Sequence, residues 1–129
     1  VGLGNLGQAL AKYGGFSERG FVIAGLVDAD PDKAGTKVNG IVVSPLEELG
    51  KLVRKFEISI GVISTPAGAA QDVADRMVEA GISSILNFAP TVLSCPPGVS
   101  IRKVDLASEL QILSFYQERR TPAKEQATG

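Results

Sequence analysis

Gly2, Gly4 and Gly7 stand at the spacing Gly-x-Gly-x-x-Gly in the opening stretch VGLGNLGQAL. Between a strand and a helix, such a turn brings backbone amides up to a phosphate. The first glycine makes the tight turn, the second admits the phosphate, and the third lets helix and sheet pack closely. Asp28, 26 residues beyond Gly2, ends the apolar run FVIAGLVD. A carboxylate at a strand end accepts hydrogen bonds from ribose hydroxyls, and its charge repels a 2′-phosphate, so NAD(H) is favoured over NADP(H). Asp30 is a second candidate in the same turn, and a solvated turn acid is the plainer alternative. Thr65 and Pro66, after the run ISIGVIS, read equally well as a strand-to-helix turn or as one wall of a cofactor groove.

Other chemistry is scarce. The 129 residues contain no histidine, which removes the commonest general base and metal ligand. Cys95 is the single cysteine, so no intrachain disulfide forms, in keeping with a reducing cytoplasm. It precedes two prolines and has no histidine partner, so a structural thiol is expected. Net charge is −1 with basic residues scattered, which leaves no basic face for an independent nucleic-acid binder. No apolar run reaches the length of a membrane span.

The elements that must position these residues alternate between β and α. LGQALAKY, Leu6 to Tyr13, has helical apolar spacing and is stopped by Gly14-Gly15; Tyr13 taken alone reads as core. Phe21 to Asp28 reads as a buried parallel strand, ADPDKAG as a polar turn, and Ile41 to Val43 as a short strand. In SPLEELGKLVRKF, Ser44 as N-cap, Pro45 at the first helical position and Glu47 predict a capping box and a helix to about Lys55. Ile58 to Ser64 is a strand, GAAQDVADRMVEAG a helix ended by Gly81, SSILNF a strand, APTVLSCPPG a loop, and Val99 to Val104 a last strand. Asp105 then caps a helix to about Gln117, with Leu106, Leu110, Leu113 and Phe115 along one broad side, and TPAKEQATG is a disordered tail.

Alternation of this kind defines an α/β fold, a Rossmann-like doubly wound parallel sheet, whose ligands bind beyond the C-terminal strand ends. The glycine turn normally follows a strand, so a truncated first strand is expected before Gly2. The organisation expected is a Rossmann-like unit over 1–104, a helix over 105–120 and a tail over 121–129.

Four blocks together resemble the Rex family of redox-sensing transcriptional repressors: GLGNLGQALAKYGGF, LVDADPDKAG, STPAGAAQDVADRMVEAGISSILNFAP and VDLASELQILSFY. The resemblance covers about 120 residues, everything before the tail. It implies a homodimer whose C-terminal helix is domain-swapped, with an N-terminal winged-helix domain, absent from this chain, that binds operator DNA. It also implies that NADH binding releases the DNA while NAD+ competes weakly. By position, Gly2, Leu3, Gly4, Asn5, Leu6 and Gly7 match the pyrophosphate turn, Asp28 the family's acid, and Thr65 and Pro66 a turn that is often Val-Pro in relatives. Asn87, Phe88, Ala89 and Pro90 match the segment near the nicotinamide. Tyr13 and Asp105 resemble a polar pair joining the swapped helix to the partner subunit, and Leu106 stands where some members carry a phenylalanine against the nicotinamide. The rival reading is the nucleotide domain of a NAD-dependent oxidoreductase or of a CoA-ligase subunit; the lack of histidine and of any acid-base pair speaks against an enzyme.

Overall fold

The structure, a computed structural model, describes residues 1–105. The expected C-terminal helix, with Leu106, Leu110, Leu113 and Phe115, and the expected tail lie outside the described residues.

In chain order the elements are α1 (Asn5–Lys12), the single helical turn α2 (Gly15–Glu18), β1 (Leu26–Asp28), β2 (Lys37–Val38), β3 (Ile41–Pro45), α3 (Leu49–Phe56), β4 (Ile60–Ile63), α4 (Ala67–Ala80), β5 (Ser84–Asn87) and β6 (Ser100–Lys103). The strands form two three-stranded sheets, ordered β1-β3-β2 and β4-β5-β6. All pairings are parallel except the β2–β3 hairpin.

Residues 1–3 join the two sheets. On one side Gly2 N–H donates to the Val27 carbonyl at 2.9 Å; on the other, Val1 donates to the Val62 carbonyl at 2.6 Å and accepts from Ser64 N–H at 2.9 Å. The order across the molecule is therefore β2, β3, β1, residues 1–3, β4, β5, β6. The glycine turn emerges at the centre of this sheet.

Alternation of side chains along the strands divides the core in two. Val27, Ile63 and Ile85 belong to a larger cluster with Leu49 and Val53 of α3 and Val73, Ala74 and Met77 of α4. Leu26 and Val43 belong to a smaller one with Leu3, Ala11 of α1 and Val38. The spacing of Ala70, Val73, Ala74 and Met77 gives α4 its buried stripe, and Gly81 at φ 108 ends it.

Four sequence expectations are corrected. The run from Phe21 is strand only from Leu26, because only Leu26–Asp28 lie opposite β3; Phe21 and Val22 are exposed. The capping box does not form: Ser44 and Pro45 pair with Val27 and Asp28 as the end of β3, and a 3₁₀ turn, Leu46–Glu48, leads into α3 with no side-chain cap. Register against β1 wins over the local capping signal. The hairpin strand β2 was not expected; Asn39 and Gly40, both at positive φ (50 and 80), make its tight turn, and Asn39 Nδ2 caps the Ala11 carbonyl of α1 at 3.1 Å. Tyr13 is not core. It sits past the end of α1, 56% exposed, its ring edge-on to Phe16 at 5.0 Å.

Candidate functional site

The three glycines of the turn are required for different reasons. Gly2 has φ 99, and a Cβ on it would lie 2.7 Å from the carbonyl carbon and oxygen of Ser64. A Cβ on Gly7 would overlap the Gly2 carbonyl oxygen. Around Gly4 a Cβ would meet nothing within 4 Å. Gly2 and Gly7 are thus closed by packing, while Gly4 faces open space at the N-terminus of α1.

No side chain caps that helix end. Its first amide groups, from Gly4 through Asn5 and Leu6, are aligned with the positive end of the helix dipole and suit a phosphate oxygen. Asp28 closes the adjacent side. Its Oδ2 accepts the Leu3 N–H at 2.7 Å and its Oδ1 the Asp30 N–H at 2.9 Å. Each carboxylate oxygen keeps a second lone pair, so the group can also accept hydroxyl donors. Asp30 is exposed and folds onto its own turn, accepting Asp32 N–H at 2.9 Å. Of the two acids, Asp28 is the one that touches the glycine turn. An anion-accepting helix end beside a free-faced carboxylate fits the pyrophosphate and ribose of a dinucleotide.

Ser64, at the end of β4, donates from Oγ to the Gly2 carbonyl at 2.7 Å. Thr65 Oγ donates to the Pro66 carbonyl at 3.1 Å, and Pro66 leads into α4, so these two residues make the strand-to-helix turn beside the glycines. The NFAP segment follows β5, the next strand. Asn87 is 1% exposed, and its amide is committed to its own loop: Nδ2 donates to the Thr91 carbonyl at 2.9 Å and Oδ1 accepts Ala89 N–H at 2.9 Å. Phe88 N–H donates to the Ile63 carbonyl at 2.8 Å, tying the loop to the end of β4; Ala89 is buried and Pro90 exposed. Further along the same loop, Gln71 of α4 bonds both ways to Ser94, accepting its N–H at 2.9 Å and donating to its carbonyl at 2.8 Å.

Tyr13 is not part of this cluster. The eight residues of α1, about 12 Å of helix, separate it from Gly4. Asp105 is exposed just after β6. Cys95 is half-buried against the larger core cluster, and burial, aided by the charge of Asp75, pushes its thiol up, away from nucleophilic use. Among the described residues no cluster could hold a metal ion and no helix is long and apolar enough to cross a membrane.

Sequence reasoning missed Gln8, Lys33 and Gln71. Gln8 Nε2 and Lys33 Nζ both donate to the Leu3 carbonyl at 3.0 Å. Nothing in the local pattern marks Lys33 or Gln71, whose partners lie 30 and 23 residues away. Gln8, one turn into the helix after Gly4, was open to inspection.

A central glycine turn, an uncapped helix end and an acid on the neighbouring strand define a nucleotide-binding Rossmann-like domain, and the chain belongs to the family described as the CoA binding domain, which matches residues 1–91. Within it the chain goes with the Rex repressors, as its sequence blocks implied. The redox-sensing transcriptional repressor Rex of Streptomyces coelicolor is 59% identical over 129 residues, all of this chain and 50% of that protein. Two solved structures of RSP, one in complex with beta-NADH and one with beta-NAD+ and operator DNA, superpose with TM-scores of 0.84 and 0.83 at 36% identity. Each match covers 92% of this chain, and 57% and 54% of the respective RSP chains. The chain spans about half the length of the relatives it matches.

Proposed function

We propose that this chain is the NAD(H)-binding and dimerisation part of a cytoplasmic repressor that responds to the NADH/NAD+ ratio, NADH releasing it from operator DNA. The observation that carries the reading is the contact between Asp28 and Leu3 beside the open end of α1, which sets a ribose acceptor and a phosphate acceptor side by side. The relatives support the rest: they are transcriptional repressors and not enzymes, and RSP has been solved with NADH, and with NAD+ and operator DNA.

In this reading the bound dinucleotide supplies a nicotinamide whose redox state is sensed. The amides of Gly4, Asn5 and Leu6 hold its pyrophosphate, with Gly2, Leu3 and Gly7 shaping the turn. Asp28 accepts the ribose hydroxyls and disfavours a 2′-phosphate. Thr65, Pro66 and the segment Asn87, Phe88, Ala89, Pro90 wall the nicotinamide side, Asn87 by holding its loop. Residues 1–104 form the binding unit, 105–120 the dimer helix, and 121–129 a tail. Tyr13 and Asp105 carry the ligand's effect between subunits, and a winged-helix domain on a separate part of the protein reads the DNA.

Titration of the chain with NADH and NADPH, followed by nicotinamide fluorescence, tests the reading. Tight NADH binding without turnover of carbonyl substrates is expected. Failure to bind NADH, or steady oxidation of it, would overturn the assignment.

A further inference from the structure

Leu3, between the first two glycines, is held from three directions. Its N–H donates to Asp28 at 2.7 Å, and its carbonyl accepts from Gln8 Nε2 and Lys33 Nζ, each at 3.0 Å. Its side chain is 3% exposed. Gly2 is fixed by its own bonds to Val27 and Ser64, whereas Gly4 has no side chain and takes its set from the peptide unit that Leu3 begins.

The Leu3 carbonyl belongs to the same peptide unit as the Gly4 N–H. A trans peptide is planar with its C=O and N–H opposed, so drawing the carbonyl toward Lys33 and Gln8 turns the Gly4 N–H the other way. Among the described residues no protein acceptor meets that N–H. A charged donor on the carbonyl also polarises the unit and strengthens its N–H as a donor.

Lys33 comes from the turn after β1, where the stretch ADPDKAGT makes it the only base beside Asp30 and Asp32. A lysine placed for solubility would extend into water or pair with these acids. Its ammonium instead crosses to a neutral carbonyl 30 residues away in the chain.

We infer that Lys33 is a positioning residue of the nucleotide site: through the Leu3 carbonyl it aims the Gly4 amide at an incoming pyrophosphate. The inference rests on the NAD(H) reading above. It separates Lys33 from Asp28, which meets the ribose, although both act on the same residue of the turn.

The test compares Lys33→Met, Lys33→Arg and the unaltered chain for binding of NADH, ADP-ribose and adenosine, the last two by displacement of NADH. Lys33→Met should bind NADH and ADP-ribose about tenfold more weakly, with adenosine changed less than about twofold, and Lys33→Arg should restore most of the loss. Gln8→Met, which removes the other donor to the same carbonyl, should give the same ligand pattern. The amide resonance of Gly4 should shift with ADP-ribose in the unaltered chain and less so in Lys33→Met. Unchanged ADP-ribose affinity in Lys33→Met, or an equal loss for adenosine, overturns the positioning role while the NAD(H) reading stands. If the unaltered chain binds no NADH, that reading itself falls, and this inference with it.

Discussion

Gly7 approaches the Gly2 carbonyl so closely that a single added carbon would overlap its oxygen, although four residues of turn and helix stand between the two in the chain. Gly2 is pressed in the same way against the backbone of Ser64. Gly7→Ala and Gly2→Ala should each cost about 3 kcal/mol or more of stability, through overlap at both and positive φ at Gly2. Gly4→Ala, in open space, should change stability by less than about 1 kcal/mol yet weaken NADH binding, because its methyl occupies the phosphate's approach. Urea denaturation and NADH titration of the three variants separate the two effects; equal stability losses in all three would contradict this division.

Asp28 holds the fold at the glycine turn and is the proposed ribose acceptor. Asp28→Ala strands the N–H groups of Leu3 and Asp30 and should cost about 1 to 3 kcal/mol. Asp28→Asn keeps an acceptor for one of them and removes the charge, so it should fold better than the alanine variant while losing most of the preference for NADH over NADPH. Retention of the full preference in Asp28→Asn would show that charge at this position does not set it.

Asn87 is a clamp on the loop that follows β5. Asn87→Asp keeps the acceptor for Ala89 N–H but sets a carboxylate against the Thr91 carbonyl at a site with 1% exposure. The variant should lose about 2 to 4 kcal/mol at neutral pH. If the loop walls the nicotinamide side, NADH affinity should fall by more than ADP-ribose affinity. Equal losses for the two ligands would remove the loop from that wall.

Association is expected to reside in residues 105–120. The full chain should sediment as a dimer at micromolar concentration, and removal of the residues after Val104 should yield monomers. A well-folded monomer from the full chain would rule out the swapped helix.

Much of this arrangement is legible because strand ends and glycine turns are local signals. The helix α4, the strands around it and the place of Asp28 all follow from apolar spacing and turn residues within a few positions. The exceptions arise where a distant partner decides. Ser44 and Pro45 carry the local marks of a helix start, yet pairing with Val27 and Asp28 holds them extended. Phe21 and Val22 look like strand interior, but among the described residues no neighbouring strand pairs with them. The hairpin at Asn39-Gly40 was announced by its dipeptide and overlooked because its strands are short, two and five residues. Contacts such as Lys33 with Leu3 leave no periodic trace at all.

Residues 1–3 are the only backbone seam between the two halves of the sheet among the described residues, and three of its bonds, at Val1, Gly2 and Ser64, join strands that otherwise do not touch. The glycine turn lies at the end of that seam, with Asp28 on one half and the Ser64–Pro66 turn on the other. On the NAD(H) reading, a dinucleotide spanning both banks would act as a suture, so that binding at the turn would be felt as rigidity across the whole sheet.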